Sequence, residues 1–142
     1  MKIQQISLFV ENKPGHIAAP ARLLAEQGFG IRALYLADTQ QYGIVRLIVA
    51  ESQKAAALLE AHGFVVKVTE VLAVEVADRP GGLADILDAL DGSGINIEYM
   101  YAFPYLLAGK AILIFRFNDS DAAIAYLQKA GINLLASKEL LK

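Results

Sequence analysis

The fold is decided by the stretch Ala77-Asp78-Arg79-Pro80-Gly81-Gly82-Leu83. The residues before it, 71–76, are mostly apolar and β-branched and predict a strand, whereas the apolar spacing of residues 83–90 predicts a helix. The stretch is therefore a tight strand-to-helix loop, and its proline suits a helix entry. Because the two glycines lack a Cβ, backbone N–H groups at this helix start can closely approach a carboxylate or a phosphate.

The same pattern occurs 66 residues earlier, as Asn12-Lys13-Pro14-Gly15-His16-Ile17. At this offset many apolar, glycine and tyrosine positions of the two halves coincide, among them Leu24 with Leu90 and Tyr35 with Tyr101. Such self-similarity indicates an internal duplication. We therefore expect two units, residues 1–70 and 71–142, with no linker between them.

Both units have the same order of predicted elements, β-α-β-β-α-β, which is that of the ferredoxin-like α+β fold. The predicted strands are 2–11, 31–37, 44–50, 64–69, 71–76, 95–103, 109–117 and 132–138; the predicted helices are 16–28, 52–63, 82–93 and 119–130. Ser52, and either Asn118 or Ser120, are the predicted helix caps. We expect antiparallel sheets with helices on one face, joined side by side because Thr69 runs almost directly into Val71.

The composition limits the possible environments of the chain. It has 142 residues, a net charge of −2 and no cysteine, so it contains neither disulfides nor thiolate metal sites. No apolar run reaches the roughly 18 residues of a membrane helix, and the N-terminus lacks the apolar core of a signal peptide. We expect a cytoplasmic protein without a membrane or nucleic-acid partner.

The apolar content, 56% of the residues, is high for two units of this size. Neighbours on a strand point to opposite sides, so Ile44, Ile48, Ile112 and Ile114 do not share the face of the residues between them. Either these are ordinary exposed apolar residues, or a second sheet face is buried. The second interpretation predicts a homodimer, with the face covered by another copy of the chain.

The sequence contains no recognisable catalytic pattern: it has no Ser–His–Asp grouping, phosphate-binding P-loop or His-Glu-x-x-His motif. Asp85, Asp88 and Asp91 recur every three residues, which is typical of a solvated helix face. We therefore expect no catalytic residue, no metal and no cofactor, and we expect that the protein is not an enzyme.

An RNA-binding sheet needs exposed aromatic side chains on its central strands. Tyr99, Tyr101 and Phe103 alternate in this way. Ile95 and Ile97 continue the same face, however, which indicates a core face instead.

The two loops and the strand openings that follow them resemble those of tandem ACT domains, which are small βαββαβ amino-acid sensors. The resemblance covers the whole chain and rests on Asn/Asp-Lys/Arg-Pro-Gly in each loop and on Gly94-Ile95-Asn96-Ile97 at a strand opening. The first copy departs from the pattern, because Gly30 takes the place of the asparagine, and this tells against two equivalent sites. Residues 6–15 also resemble the opening of acetolactate synthase regulatory subunits.

The resemblance implies a ligand site. In this family an amino acid binds at ACT–ACT interfaces, held by the first loop and by a polar residue at the start of the second strand. The residues that carry over are Asn12, Lys13, Pro14, Gly15, His16, Ile17, Asp78, Arg79, Pro80, Gly81, Gly82, Leu83 and Asn96. The loop N–H groups suit a ligand carboxylate and the Asn12 or Asp78 side chain suits its ammonium, while Asn96 offers both a donor and an acceptor.

The resemblance therefore implies a non-catalytic regulator, homodimeric, that binds a free amino acid and controls amino-acid metabolism, with a metabolic enzyme as a further partner. The alternative is a regulatory subunit that acts by contact on a biosynthetic enzyme such as acetolactate synthase, with degenerate ligand sites. A small α+β enzyme with a site under the sheet is a third hypothesis.

Overall fold

The structure is a computed structural model that describes residues 1–141. Its elements are β1 (Lys2–Glu11), α1 (Ala18–Glu26), β2 (Ile31–Asp38), β3 (Tyr42–Val49), α2 (Ser52–Ala61), β4 (Val65–Val76), α3 (Gly82–Leu90), β5 (Ile97–Ala102), β6 (Ala111–Phe117), α4 (Ser120–Lys129), β7 (Leu134–Leu135) and α5 (Ser137–Leu140). None of the helices in this range combines the length and apolarity needed to cross a membrane.

The chain divides into two compact units. The first unit consists of Gln4–Thr69 with Leu141, and the second of Met1–Ile3 with Glu70–Leu140. The strand order is β2-β3-β1-β4 in the first unit and β5-β6-β4-β7 in the second. Both orders are those of a ferredoxin-like fold, so the predicted fold class is confirmed.

Strand β4 contributes to both units. It contains the predicted strands 64–69 and 71–76 as one uninterrupted run of 12 residues. Its first part, up to Thr69, is the last strand of the first unit, and the part from Glu70 onward is the opening strand of the second. The side-by-side joining of the two sheets stays a prediction.

In the first unit, one face of the sheet packs against α1 and α2. The buried residues of this core are Ile6, Leu8, Leu24, Val45, Leu47, Val49, Ala55, Ala56 and Leu59. Ile6 and Leu8 alternate along β1 with Gln5 and Ser7, which face the other way and are also buried. Gln5 Nε2 donates to Ser7 Oγ at 3.4 Å and to Thr69 Oγ1 at 3.2 Å, so the buried amide has partners.

In the second unit, the corresponding core lies between the sheet and helices α3 and α4. Its buried residues are Leu72, Val74, Val76, Ile86, Leu90, Phe115, Phe117, Ala123, Leu127 and Leu134. Tyr101 and Phe103 are buried as well, as predicted, but they are not part of this core. The side chains of these two aromatic residues are therefore not exposed for nucleic-acid bases to stack on. The strand register shifts between Ile97 and Tyr99, so Tyr101 lies opposite Ile114 and does not share the face of Ile97, and the predicted common face was wrong.

The second unit also holds the start of β1. Lys2 Nζ lies 3.3 Å from a carboxylate oxygen of Glu70 and 3.0 Å from one of Asp121. The Sδ of Met1 accepts a hydrogen bond from Gln128 Nε2 at 3.2 Å, and Ile3 is fully buried. The first three residues thus belong to the unit whose other residues begin at Glu70.

Three of the four isoleucines that suggested a second covered face are buried within a single chain, and the fourth, Ile44, is half-buried. The exposure of Ile48 and Ile114 is 0% and that of Ile112 is 1%, while none of them belongs to the helix-side cores. The second face exists as predicted, but a partner chain is not needed to bury these residues. This argument for a homodimer was therefore wrong, and the homodimer itself stays a prediction.

Three local predictions are corrected by the structure. Glu51 is the N-cap residue of α2, because the hydroxyl of Ser52 donates instead to Gln4 Oε1 at 3.0 Å. Asp119 caps α4, its carboxylate accepting from Ala122 N at 3.0 Å.

The predicted strand 132–138 is also wrong in extent, since only Leu134–Leu135 pairs as a strand. Ala136 carries the turn into α5. Its carbonyl accepts from the N–H groups of Glu139 and Leu140, and its own N–H donates to the Glu139 carboxylate at 2.7 Å. Leu140 is buried at the end of this turn, which favours the helix over continued strand pairing.

Candidate ligand-binding loops

The two repeated loops have the same backbone arrangement. In the first loop, Lys13 N donates to Glu11 O at 2.9 Å and His16 N donates to Lys13 O at 3.3 Å. In the second, the equivalent bonds run from Arg79 N to Ala77 O at 2.9 Å and from Gly82 N to Arg79 O at 3.1 Å. Gly15 and Gly81 both adopt a left-handed φ, +84° and +90°, which a side chain with a Cβ adopts only with strain.

The loops differ at the position after this glycine. A Cβ on Gly82 would press against the backbone oxygen of Ala77 and would lie 3.0 Å from Val76 Cγ1. The second loop therefore requires glycine here, while the first carries His16, whose side chain is exposed. The second loop is thus packed against its own strand more tightly than the first.

The first loop is tied to the β2–β3 hairpin through Asn12. Its backbone N–H donates to Gln41 O and its side-chain Nδ2 donates to Gln40 O, each at 2.9 Å. Since the amide nitrogen is engaged in this bond, Oδ1 is the part of the Asn12 side chain left to accept from a ligand.

A cavity of about 80 Å³ lies beside this loop. Its lining residues come from β1, the loop, β2 and β3: Val10, Glu11, Asn12, Lys13, Ile17, Leu36, Asp38 and Gly43. The structure thus brings together three of the predicted site residues, Asn12, Lys13 and Ile17. Pro14, Gly15 and His16 are exposed in the same loop but do not line the cavity.

Charges of both signs surround this cavity. Lys13 Nζ lies 2.7 Å from Glu11 Oε2. The hydrogen bond from Lys13, together with its positive charge, lowers the pKa of the Glu11 carboxyl, and the same contact raises the pKa of Lys13. Asp38 makes no salt bridge within residues 1–141. The cavity is therefore lined by the paired Lys13 and Glu11 at the loop and by Asp38 at the end of β2.

The start of α1 carries no negative charge of its own: its first turn contains no acidic residue, and no side chain caps it. The second loop is different, because Asp85 lies in the first turn of α3. Arg79 Nη2 lies 2.6 Å from Asp85 Oδ2, and Arg79 Nη1 donates to Pro80 O at 3.0 Å. The positive end of α3 thus already has a carboxylate, and Arg79 is folded across the loop.

Asp78 and Asn96 do not meet within the second unit. Asp78 precedes α3, whereas Asn96 follows it, and a nine-residue helix is about 13.5 Å long. Asn96 lines a separate cavity of about 390 Å³ beyond the C-terminal end of the helix. Its N–H donates to Asn118 Oδ1 at 2.9 Å, and its carbonyl accepts from Asn118 N at 3.1 Å.

The remaining predicted residues of the second loop lie between β4 and the start of α3. Gly82 and Leu83 are the first residues of α3, and Leu83 is exposed. Across residues 1–141, no three histidine or acidic side chains are grouped closely enough to hold a metal ion.

The residues of the first cavity that the sequence did not reveal are Val10, Glu11, Leu36, Asp38 and Gly43. They come together through the pairing of β1 with β3 and of β3 with β2: Val10 lies opposite Gly43, which lies opposite Asp38. The only sequence signal was an acidic residue, Asp38, directly after the second predicted strand, 31–37.

The family model described as an ACT domain pair matches residues 1–142. The chain is similar to protein BT0572 from Bacteroides thetaiotaomicron, with 33% identity over 100% of this chain and 97% of that one and a TM-score of 0.92. No curated protein matches significantly.

Two more distant solved structures share the fold. One is the ligand-free regulatory subunit of aspartate kinase from Thermus thermophilus, with 20% identity over 89% of this chain and 91% of that one and a TM-score of 0.63. The other is aspartate kinase from Synechocystis, with 21% identity over 94% of this chain and 26% of that one and a TM-score of 0.61.

Proposed function

The chain belongs to the ACT family as an ACT domain pair, and from that premise we propose that it is a non-catalytic regulatory protein that binds a free amino acid. Its role is to report the level of that amino acid to the enzymes of amino-acid metabolism. The first loop is the proposed site, and the observation that carries this proposal is its cavity with charges of both signs.

A free amino acid is a zwitterion, and the first cavity offers a partner for each charged group. The ligand carboxylate is directed to the uncapped start of α1, where backbone N–H groups and the helix dipole favour an anion. Lys13 Nζ, which also contacts Glu11, is its second partner. The ligand ammonium is directed to the Asp38 carboxylate and to Asn12 Oδ1. Charge-assisted hydrogen bonds of this kind are stronger than neutral ones.

The second loop is the weaker candidate. A ligand carboxylate at the start of α3 would compete with Asp85, which already lies there in contact with Arg79. The sequence pattern favoured the second copy because of Asn96, whereas the geometry of the two loops favours the first. We therefore propose one principal site per chain.

The first test is a thermal-shift screen of the chain against the twenty amino acids. At a ligand concentration of about 100 Kd, binding stabilises the folded state by roughly 2.7 kcal/mol. For a chain of this size, that raises the melting temperature by roughly 5–10 °C.

Asp38→Asn tests the site, and Asp88→Asn, an exposed acid on α3, is the matched control. We expect the first variant to lose most of the shift and the second to keep it. A wild-type chain that responds to no amino acid contradicts amino-acid binding and favours a subunit that acts by contact alone. A response that survives Asp38→Asn contradicts the proposed site.

A further inference from the structure

A second cavity, entirely apolar, adjoins the cavity at the first loop. It has a volume of about 70 Å³ and lies between α1 and the sheet. Ile17, Pro20, Ala21 and Leu24 form the helix side, and Leu34 is among the residues that form the sheet side. Every other lining residue is also aliphatic.

Strand register places the two cavities next to each other. The polar cavity lies on the row formed by Val10, Gly43 and Asp38, and the next row on the same face is Leu8, Val45 and Leu36. Rows two residues apart are about 6.6 Å from one another. Ile17 lines both cavities, so this one side chain stands between them, and a ligand that spans both has to displace it.

Resting on the proposed function, we infer that the amino acid bound at the first loop has an aliphatic side chain of about the size of valine, leucine or isoleucine. Its charged groups occupy the polar cavity and its side chain occupies the apolar cavity between α1 and β2. A polar side chain placed there would lose its hydrogen bonds to water without gaining a partner, and a charged one would be still less favourable.

The repeat shows which residue opens this cavity. At the 66-residue offset, Ala21 of α1 corresponds to Leu87 of α3, and Pro20 corresponds to Ile86. Leu87 is 40% exposed, so at this position the second unit carries a much larger, partly exposed side chain where the first has only a methyl group. The small residue at position 21 thus distinguishes the first unit from the second. The first unit is also the one whose helix start carries no carboxylate.

The test uses the complete chain and measures Kd by calorimetry for a graded series of ligands: alanine, 2-aminobutyrate, valine, leucine and isoleucine, then serine, threonine, aspartate and lysine. Affinity should rise about tenfold per added methylene along the aliphatic series until the cavity is filled. Threonine, which has nearly the shape of valine, should bind at least about tenfold more weakly than valine.

Ala21→Leu gives the first unit the residue of the second. Leucine is a good helix former and position 21 is exposed, so the fold is retained, which circular dichroism verifies. The variant should bind leucine or isoleucine at least about tenfold more weakly than the wild type. Ala19→Leu, the same exchange on an exposed part of α1 outside the cavity, should bind them unchanged.

The outcomes separate this inference from the proposed function. A wild-type chain that binds a polar or charged amino acid more tightly than the aliphatic ones overturns the inference but leaves amino-acid binding standing. An Ala21→Leu chain that binds leucine as tightly as the wild type overturns it in the same way. A wild-type chain that binds none of these ligands overturns the inference, and the proposed function falls as well only if the chain responds to none of the twenty amino acids.

Discussion

Replacing Gly82 by alanine should destabilise the protein by an amount that follows from the geometry of the second loop. The new Cβ would press against the backbone oxygen of Ala77. That oxygen also accepts from Arg79 N, and Gly82 N itself donates to Arg79 O. Because the obstacle is backbone and not the end of a flexible side chain, the loop has to move, and these turn hydrogen bonds are strained or lost.

Two contributions set the magnitude. Overpacking in a close-packed region costs about 1–3 kcal/mol, and the loss of one turn hydrogen bond costs about 0.5–1.5 kcal/mol. We therefore expect Gly82→Ala to lower the free energy of unfolding by roughly 2–4 kcal/mol, equivalent to a fall in melting temperature of roughly 4–16 °C.

Urea unfolding followed by far-UV circular dichroism measures this difference, with the slope m compared between variants. The matched control is His16→Ala at the same place in the first loop, where the exposed side chain should be replaceable within about 0.5 kcal/mol. Gly81→Ala measures the cost of a left-handed φ at a residue with a Cβ, which is about 1–2 kcal/mol. Gly82→Ala measures the cost of the close contact with the backbone. A Gly82→Ala chain as stable as His16→Ala would refute the reasoning.

Two further predictions concern charge and assembly. Lys13→Met should raise the pKa of the Glu11 carboxyl in an NMR titration towards its ordinary value of 4.5, whereas Lys54→Met should leave it unchanged; an unshifted pKa in Lys13→Met would contradict the pairing. The folded state lowers this pKa, so the pair contributes to the free energy of unfolding when the pH is above the unfolded-state pKa of Glu11. That contribution is lost as the pH falls through the folded-state pKa. In sedimentation at tens of micromolar, we expect the wild type at twice 15.3 kDa. A wild-type monomer of 15.3 kDa would contradict the homodimer.

The sequence predicted what is local and what is repeated. The two glycine-containing loops and the alternation along β1 follow from residue type and spacing alone, and the duplication supported most of the elements because they occur in both copies. The helix-side core could be predicted for the same reason, because Leu24 and Leu90 stand at the same place in the two copies.

The rest depends on register, which residue spacing does not reveal. Asp38 faces the first loop only because β3 pairs with both β1 and β2, so its place in the candidate site could not be predicted from a hairpin position. Ile48 and Ile114 were assigned to the correct side of the sheet, but pattern alone does not tell what buries them. The short β7 gave way to α5 because Glu139 and Leu140 bond back to Ala136.

The placement of the first three residues in the second unit has a consequence for biosynthesis. Met1 and Gln128 are 127 residues apart, and a ribosome adds about 5–20 residues per second. Residues 1–3 therefore wait about 6–25 seconds for α4, and throughout that time Ile3, fully buried in the finished protein, lacks part of its unit. Residues 1–3 thus find their place only after Gln128 has been made, and the second unit cannot close before then.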